Sequence, residues 1–128
     1  MLDLVVKVNK SLNNQYFILI LTAADKLPEM LPGQFAEVRV DDSPATFLRR
    51  PISINFVDYE KNELWLLVQI VGDGTQKLSQ LKTGDNVNLI FPLGNTFTIP
   101  EDKKSNILLI GGGVGIAPML FLGSCLND

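Results

Sequence analysis

The sequence predicts a mainly β fold, with six strands in a small antiparallel barrel or sandwich and then the first βα unit of an α/β domain. Two observations carry this expectation. Over the first hundred residues, short runs of apolar residues recur at regular spacing between turns rich in Gly, Pro, Asn and Asp. After Pro100 the pattern changes to a continuous apolar run, a glycine-rich loop and a helical stretch.

Asp3 to Asn9 alternates apolar and polar, and Leu12-Asn13-Asn14 turns the chain into Gln15 to Thr22, rich in Phe, Ile and Leu. Leu27 to Gly33 contains Pro28, Pro32 and Gly33 and reads as a connecting loop. Phe35 to Val40 is the third strand, followed by the turn Asp41-Asp42-Ser43-Pro44. Arg50 to Asp58 and Glu63 to Val71 form a hairpin around Tyr59-Glu60-Lys61-Asn62. Gly74 to Leu81 is expected to be helical, with Leu78 and Leu81 on one face, and Lys82-Thr83-Gly84-Asp85 leads into the sixth strand, Asn86 to Phe91. Beyond the polar linker Glu101–Ser105, Ile107 to Ile110 reads as a parallel strand buried on both faces, and Met119 to Leu122 as a helix. The expected division is therefore a barrel over 1–100 and the start of an α/β domain over 101–128. One βα unit cannot bury both faces of its strand. An exposed apolar patch, or a homodimer or swapped arrangement that covers it, is the expected consequence.

Composition narrows the chemistry. Apolar residues make up 46% and charged residues 20%, as in an ordinary globular protein, and the net charge of −3 gives no electrostatic reason to expect nucleic acid or an anionic membrane as partner. No apolar run approaches the roughly 20 residues of a membrane span, and the N-terminus lacks the basic leader and apolar block of a signal peptide. The single cysteine, Cys125, cannot form an internal disulfide, which fits a reducing cytoplasm. Histidine is absent. That removes Ser-His-Asp and Cys-His catalysis and His-ligated zinc, so any chemistry here is expected to be carried by a cofactor.

Four motifs are candidates for holding one. In Leu48-Arg49-Arg50-Pro51-Ile52-Ser53-Ile54, a guanidinium at the head of a strand can grip a pyrophosphate through two parallel hydrogen bonds, with Ser53 further along the strand. Taken alone, it also reads as a strand beginning with surface arginines. In Val71-Gly72-Asp73-Gly74-Thr75, glycines before a helix let backbone approach a ligand, and Thr75 offers a hydroxyl donor; a plain strand-to-helix turn would look the same. Phe91-Pro92-Leu93-Gly94-Asn95-Thr96-Phe97 reads as a tight turn. In Gly111 to Pro118, glycines between an apolar strand and a helix would admit a dinucleotide's phosphates or ring, although the spacing is not G-x-G-x-x-G.

In this order the four motifs resemble the ferredoxin–NADP reductase superfamily over essentially the whole chain. The resemblance implies a six-stranded flavin-binding barrel followed by an α/β domain for the pyridine nucleotide. Arg50-Pro51-Ile52-Ser53 is similar to the family's R-x-[YFIL]-S flavin signature, which implies Arg50 on the FAD pyrophosphate and Ser53, the one catalytic assignment, near the flavin N5 edge. Val71, Gly72, Gly74 and Thr75 match the second flavin segment, whose short helix meets the pyrophosphate. Gly112, Gly113 and Gly115 lie in the segment that places the nicotinamide against the flavin.

Within the superfamily, these motifs together with Pro92-Leu93-Gly94-Asn95 and Leu31-Pro32-Gly33-Gln34-Phe35 are most similar to the electron-transfer subunits of class B dihydroorotate dehydrogenases. That likeness implies FAD here and NAD(P) in the intact protein, with an FMN-containing dihydroorotate dehydrogenase catalytic subunit as partner in pyrimidine biosynthesis. Electrons would pass through a [2Fe–2S] centre. Such a centre needs four cysteines, and Cys125 stands alone, so the metal ligands are not in this sequence. The chain is accordingly expected to be a fragment or a truncated product, incomplete for NAD-linked turnover. Two other readings predict different partners or none. One is the flavin subunit of an NADPH-dependent ferredoxin or sulfide oxidoreductase; the other is a non-catalytic β-barrel interaction module that has lost its cofactor.

Overall fold

A computed structural model describes residues 1–128. Six strands, β1 (Leu2–Ser11), β2 (Tyr16–Thr22), β3 (Phe35–Val38), β4 (Arg50–Asp58), β5 (Glu63–Gln69) and β6 (Asn86–Leu93), close into an antiparallel barrel in the order β1-β2-β5-β4-β3-β6. Two helices, α1 (Asp73–Leu78) and α2 (Met119–Asn127), and a 3-10 turn at Gly113–Ile116 complete the chain. No helix is long and apolar enough to cross a membrane.

Alternation explains the closure. Phe17, Leu19 and Leu21 of β2, Ile52 and Ile54 of β4, and Leu64, Leu66 and Val68 of β5 all point inward and are buried. They meet Leu4 and Val6 of β1, Ala36 and Val38 of β3, and Val87, Leu89 and Phe91 of β6 in one contiguous core. On β4 the alternation slips: Ile54 pairs with Leu66, and Phe56, two residues on, with the adjacent Trp65. Asn55 stays in phase with Pro51 and Ser53 on the outer face, and the bulge sets Phe56 beside it on that face and returns Val57 to the interior.

The loop at Leu31–Gln34 and the turn after β6 brace one end of the barrel. Phe97 N–H and the Thr96 hydroxyl both donate to Pro32 O, at 3.0 and 2.8 Å, and Gln34 Nε2 donates to Gly94 O at 3.2 Å. Gly94 has φ +83°, and a Cβ there would stand 2.9 Å from the Phe35 ring, so this turn requires glycine.

Several element ends differ from the expected ones: β3 stops at Val38 and α1 at Leu78, whereas β1, β6 and α2 run longer. The larger correction concerns Ile107–Ile110, which forms no strand and pairs with nothing. Leu108 and Ile110 are 81% and 78% exposed. An apolar run becomes a parallel strand only beside a neighbour that takes its backbone hydrogen bonds, and here the six strands have already closed on one another. The expected apolar patch is present at this segment, whereas on the helix only Leu120 of Met119–Leu122 is exposed. Phe121 and Leu122 of α2 are buried, with the Phe121 ring edge-on to Phe56 at 6.3 Å and Phe56 edge-on to Trp65 at 5.5 Å.

One buried charge ties strands together at the β4–β5 hairpin end. Glu63 is only 6% exposed. Its carboxylate accepts from Lys7 Nζ of β1 at 2.6 Å and from Trp65 Nε1 at 3.0 Å. The Lys7 ammonium first, and the indole N–H after it, hold Glu63 below the ordinary carboxylate range against the opposing effect of burial. Because the folded carboxylate ionises at lower pH than the unfolded one, its stabilisation is present above the usual carboxylate range and lost as pH falls through the folded value. Glu63→Gln is expected to cost about 1 kcal/mol in urea melts at pH 7, given the half-exposed lysine, with the two proteins converging at an acidic pH below the folded carboxylate's own range. A gap of the same size at both pH values would contradict this account.

Candidate functional site

The outer face of β4 and β5 is covered at one end and open at the other. Toward the hairpin, Phe56 and Trp65 lie under α2. Toward the start of β4, Arg50, Pro51 and Ser53 of β4 and Leu67 and Gln69 of β5 face a cleft of about 400 Å³. Val71 and Thr75 close it on one side, and Val114, Gly115, Ala117 and Pro118 on the other. Three of the four motifs thus converge, from positions up to 68 residues apart (Arg50 to Pro118). The fourth, Pro92 to Phe97, does not reach the cleft and serves instead as the brace behind Phe35, the cross-strand neighbour of Ser53.

The two adjacent arginines have separate tasks. Arg49 is spent on the fold: Nη1 donates to Glu37 O and Asn88 O at 3.2 and 3.1 Å, and Nη2 to Asn88 Oδ1. Arg50 forms no ion pair; those of the protein join Lys7 to Glu63, Arg39 to Asp41 and Lys61 to Asp58. Its guanidinium donates only to the backbone oxygens of Arg49 and Leu48, at 3.2 and 3.1 Å. A half-buried cation at the cleft with no anionic partner is a place for an anion. Ser53 is likewise half-buried at the cleft, and its hydroxyl has no partner within the protein. Ile52 reaches the cleft from a side chain rooted in the core.

Thr75 differs from expectation. Its Oγ1 accepts from Val71 N–H and Gly72 N–H at 2.9 and 3.2 Å and donates to Gly72 O at 3.1 Å, so the hydroxyl clasps its own loop and has no proton left to offer a phosphate. The glycines divide similarly. A Cβ on Gly74 would stand 3.1 Å from both Arg50 Cδ and Thr46 Cγ2, so this glycine lets the arginine stem and the β3–β4 loop lie on α1. Beside Gly72, Gly112 and Gly115 a Cβ would meet nothing within 4 Å. Gly113 takes φ +55°, the left-handed conformation that favours glycine. Cys125 is half-buried on α2, and burial first, then Asp128, pushes its thiol up, away from the thiolate a metal would need.

Asn55 escaped the sequence reading. It is a polar residue 5% exposed, and its Nδ2 donates to Ala117 O at 2.6 Å. This bond pins the glycine-rich segment to the barrel two residues from Ser53. The only signal in the sequence was an amide where strict alternation after Ser53 places an outward residue. Leu67 and Gln69 were also unassigned, because half-buried outward positions on a strand carry no distinguishing pattern. Asn55→Leu keeps the branched outline of the side chain and strands Ala117 O without a donor, which is expected to cost about 2 kcal/mol and to speed amide exchange across 113–118. Unchanged stability together with unchanged exchange would show that the bond does not hold the segment.

Residues 1–98 match the family described as oxidoreductase FAD-binding domain. The protein named "Dihydroorotate dehydrogenase B (NAD(+)), electron transfer subunit" of Shouchella clausii is 43% identical over 98 residues, covering 76% of this chain and 38% of that protein. The protein of the same name from Bacillus cereus strain Q1 is 37% identical over 127 residues, covering 97% of this chain and 48% of that one. This chain therefore spans less than half the length of these curated relatives. A chain from a solved structure of an NADH-dependent reduced ferredoxin-NADP oxidoreductase superposes with a TM-score of 0.83 at 28% identity, over 97% of this chain and 44% of that one. The match over the barrel and the shared architecture together establish that the chain belongs to the oxidoreductase FAD-binding domain family, on the barrel of the ferredoxin–NADP reductases.

Proposed function

We propose that residues 1–100 hold FAD in the cleft on the outer face of β4 and β5, and that residues 101–128 begin the NAD(P)-binding half of an electron-transfer subunit. The observation that carries this reading is the pairing of an unpartnered guanidinium and an unpartnered hydroxyl in one cleft, on a barrel whose family binds FAD. The residues fit the cofactor. Arg50 supplies the bidentate donor that a pyrophosphate takes, and the open space beside Gly72 lets the ligand lie against backbone. Bound FAD supplies the redox chemistry, exchanging electrons singly or in pairs.

The chain's own groups then bind, orient and exclude water. Arg50 neutralises and fixes the pyrophosphate. Ser53 holds a hydroxyl proton at the ring edge, for hydrogen bonding to flavin N5. Leu67 and Val114 give the ring apolar walls, while Gly112, Gly113 and Gly115 leave room for a nicotinamide to approach. A [2Fe–2S] centre does not fit these residues, since Cys125 is the sole cysteine. No step through such a centre is assigned to this chain.

For the intact protein, the relatives' name supports electron transfer between a dihydroorotate dehydrogenase catalytic subunit and NAD; that the partner carries FMN and serves pyrimidine biosynthesis is part of our proposal. The likeness to the NADH-dependent reduced ferredoxin-NADP oxidoreductase favours a second reading, a flavin subunit serving ferredoxin and NADP. Copurification with one catalytic partner or the other separates them.

The purified chain is expected to be yellow, or to become so on incubation with FAD, with FAD identified by chromatography after heat release. A chain that stays colourless contradicts the flavin reading. Arg50→Ala is expected to weaken FAD binding by about 10- to 100-fold, the loss of a charge-assisted pair of hydrogen bonds. Ser53→Ala is expected to retain FAD but change the kinetics of its reduction. Normal kinetics in that variant would remove Ser53 from the mechanism.

A further inference from the structure

β1 turns one amide into the phase of the barrel interior. Leu4 and Val6 point inward, the strand bulges between Val6 and Val8, and Asn9 then lies opposite the buried Leu19 of β2. A barrel fills such a position with an apolar side chain unless the polar group finds partners. Asn9 finds three. Its Nδ2 donates to Leu81 O at 2.8 Å, to Ser79 O at 3.1 Å and to Leu78 O at 3.3 Å. These are the carbonyls at the C-terminal end of α1 and in the turn beyond it, groups that a helix end leaves short of partners.

The lock matters because α1 is only six residues long, and so short a helix does not hold itself together in water. Thr75 Oγ1 clasps the backbone at its first end, Leu78 anchors it in the core, and Asn9 takes the carbonyls at its last. Where α1 lies decides the shape of the cleft. Val71 and Thr75 form one wall, and a Cβ on Gly74 would stand 3.1 Å from Arg50 Cδ, so the arginine stem rests on the helix. In the barrel order β1 and β4 are not neighbours, and Asn9 does not line the cleft. Its influence there runs through α1. We propose that Asn9 is a positioning residue for the flavin cleft: it fastens the end of α1 to β1 and so fixes the wall and the arginine stem that α1 supports. This inference rests on the flavin reading above.

The test is titration of the purified chain with FAD, followed by flavin fluorescence at about pH 8 and about pH 5.5, in wild type, Asn9→Asp and Asn62→Asp. Asn9→Asp keeps the size of the side chain but sets a carboxylate, which only accepts, against three carbonyl oxygens. At the higher pH it is expected to bind FAD about tenfold more weakly than wild type, with faster amide exchange over 75–81. At the lower pH the carboxyl, its proton favoured by those carbonyls, donates again, and most of the affinity is expected to return. No carboxylate, lysine or arginine lines the hollow that Asn9 borders, so no neighbour there changes charge in this range. Asn62→Asp is the matched control. Asn62 Nδ2 holds Ala23 O and Asp25 O at 3.0 and 2.9 Å, in a turn that does not line the cleft, so its loss should lower the melting temperature and leave FAD affinity unchanged. Should Asn9→Asp fail to fold at the higher pH, Asn9→Ser, with one shorter donor, takes its place and is expected to lose FAD affinity several-fold. Full affinity in a folded Asn9 variant, an equal loss in Asn62→Asp, or a loss in Asn9→Asp that the lower pH does not relieve overturns the role of Asn9 and leaves the flavin cleft standing. Wild type that binds no FAD overturns the flavin reading and the positioning role with it.

Discussion

Closing six strands into a barrel leaves an interior that only side chains can fill. Eight-stranded barrels are already near that limit, and here twenty-one buried residues form one core. A ligand must therefore sit outside, on a sheet face that something else keeps from being bare. That constraint organises the rest of the molecule. The outer face of β4 and β5 is the one that carries the site. Its hairpin half is covered by α2 through Phe121, Phe56 and Trp65. Its other half is left open between α1 and the glycine-rich segment. The bond from Asn55 to Ala117 lies at the seam, and the bulge beside Asn55 sets Phe56 on the same outer face.

The site follows from the same geometry. Arg49 and Arg50 are adjacent, yet one is consumed in clamping β3, β6 and the start of β4, while its neighbour faces the cleft without a counter-ion. Thr75 gives up its hydroxyl to hold the Val71–Gly72 backbone in place, so α1 contributes shape to the cleft and Arg50 contributes charge. With no histidine in the chain, nothing in the cleft is suited to general acid–base work near neutral pH. The arrangement is one that holds and orients a redox group, in keeping with membership of an FAD-binding family.

Much of this was legible before any coordinates. The inward residues of β2, β4 and β5 alternate cleanly, because one face of each strand is buried and the other is not. Arg50 and Ser53 could be singled out by their order with the later glycine segments. Other features depend on tertiary context. Ile107–Ile110 has the composition of a buried strand, but strand formation requires a partner ladder that local sequence cannot supply. The bulge between Ile54 and Phe56 breaks the period on which the reading relied, and Asn55, outward by simple alternation, is buried against Ala117 of a distant segment. The hydroxyl of Thr75 looked free because its acceptors and donors, Val71 and Gly72, lie in its own loop and engage it only once that loop closes.

The central claim is that the cofactor lies outside the barrel against β4 and β5. The most direct measurement is the change in backbone amide chemical shifts of the isotopically labelled chain on adding FAD. The account predicts shifts concentrated at Arg50–Ser53, Leu67–Gln69, Val71–Thr75 and Val114–Ala117, with the β1–β6 seam on the opposite side unmoved. Shifts centred on that seam, or saturating FAD with no change at Arg50 and Ser53, would contradict it.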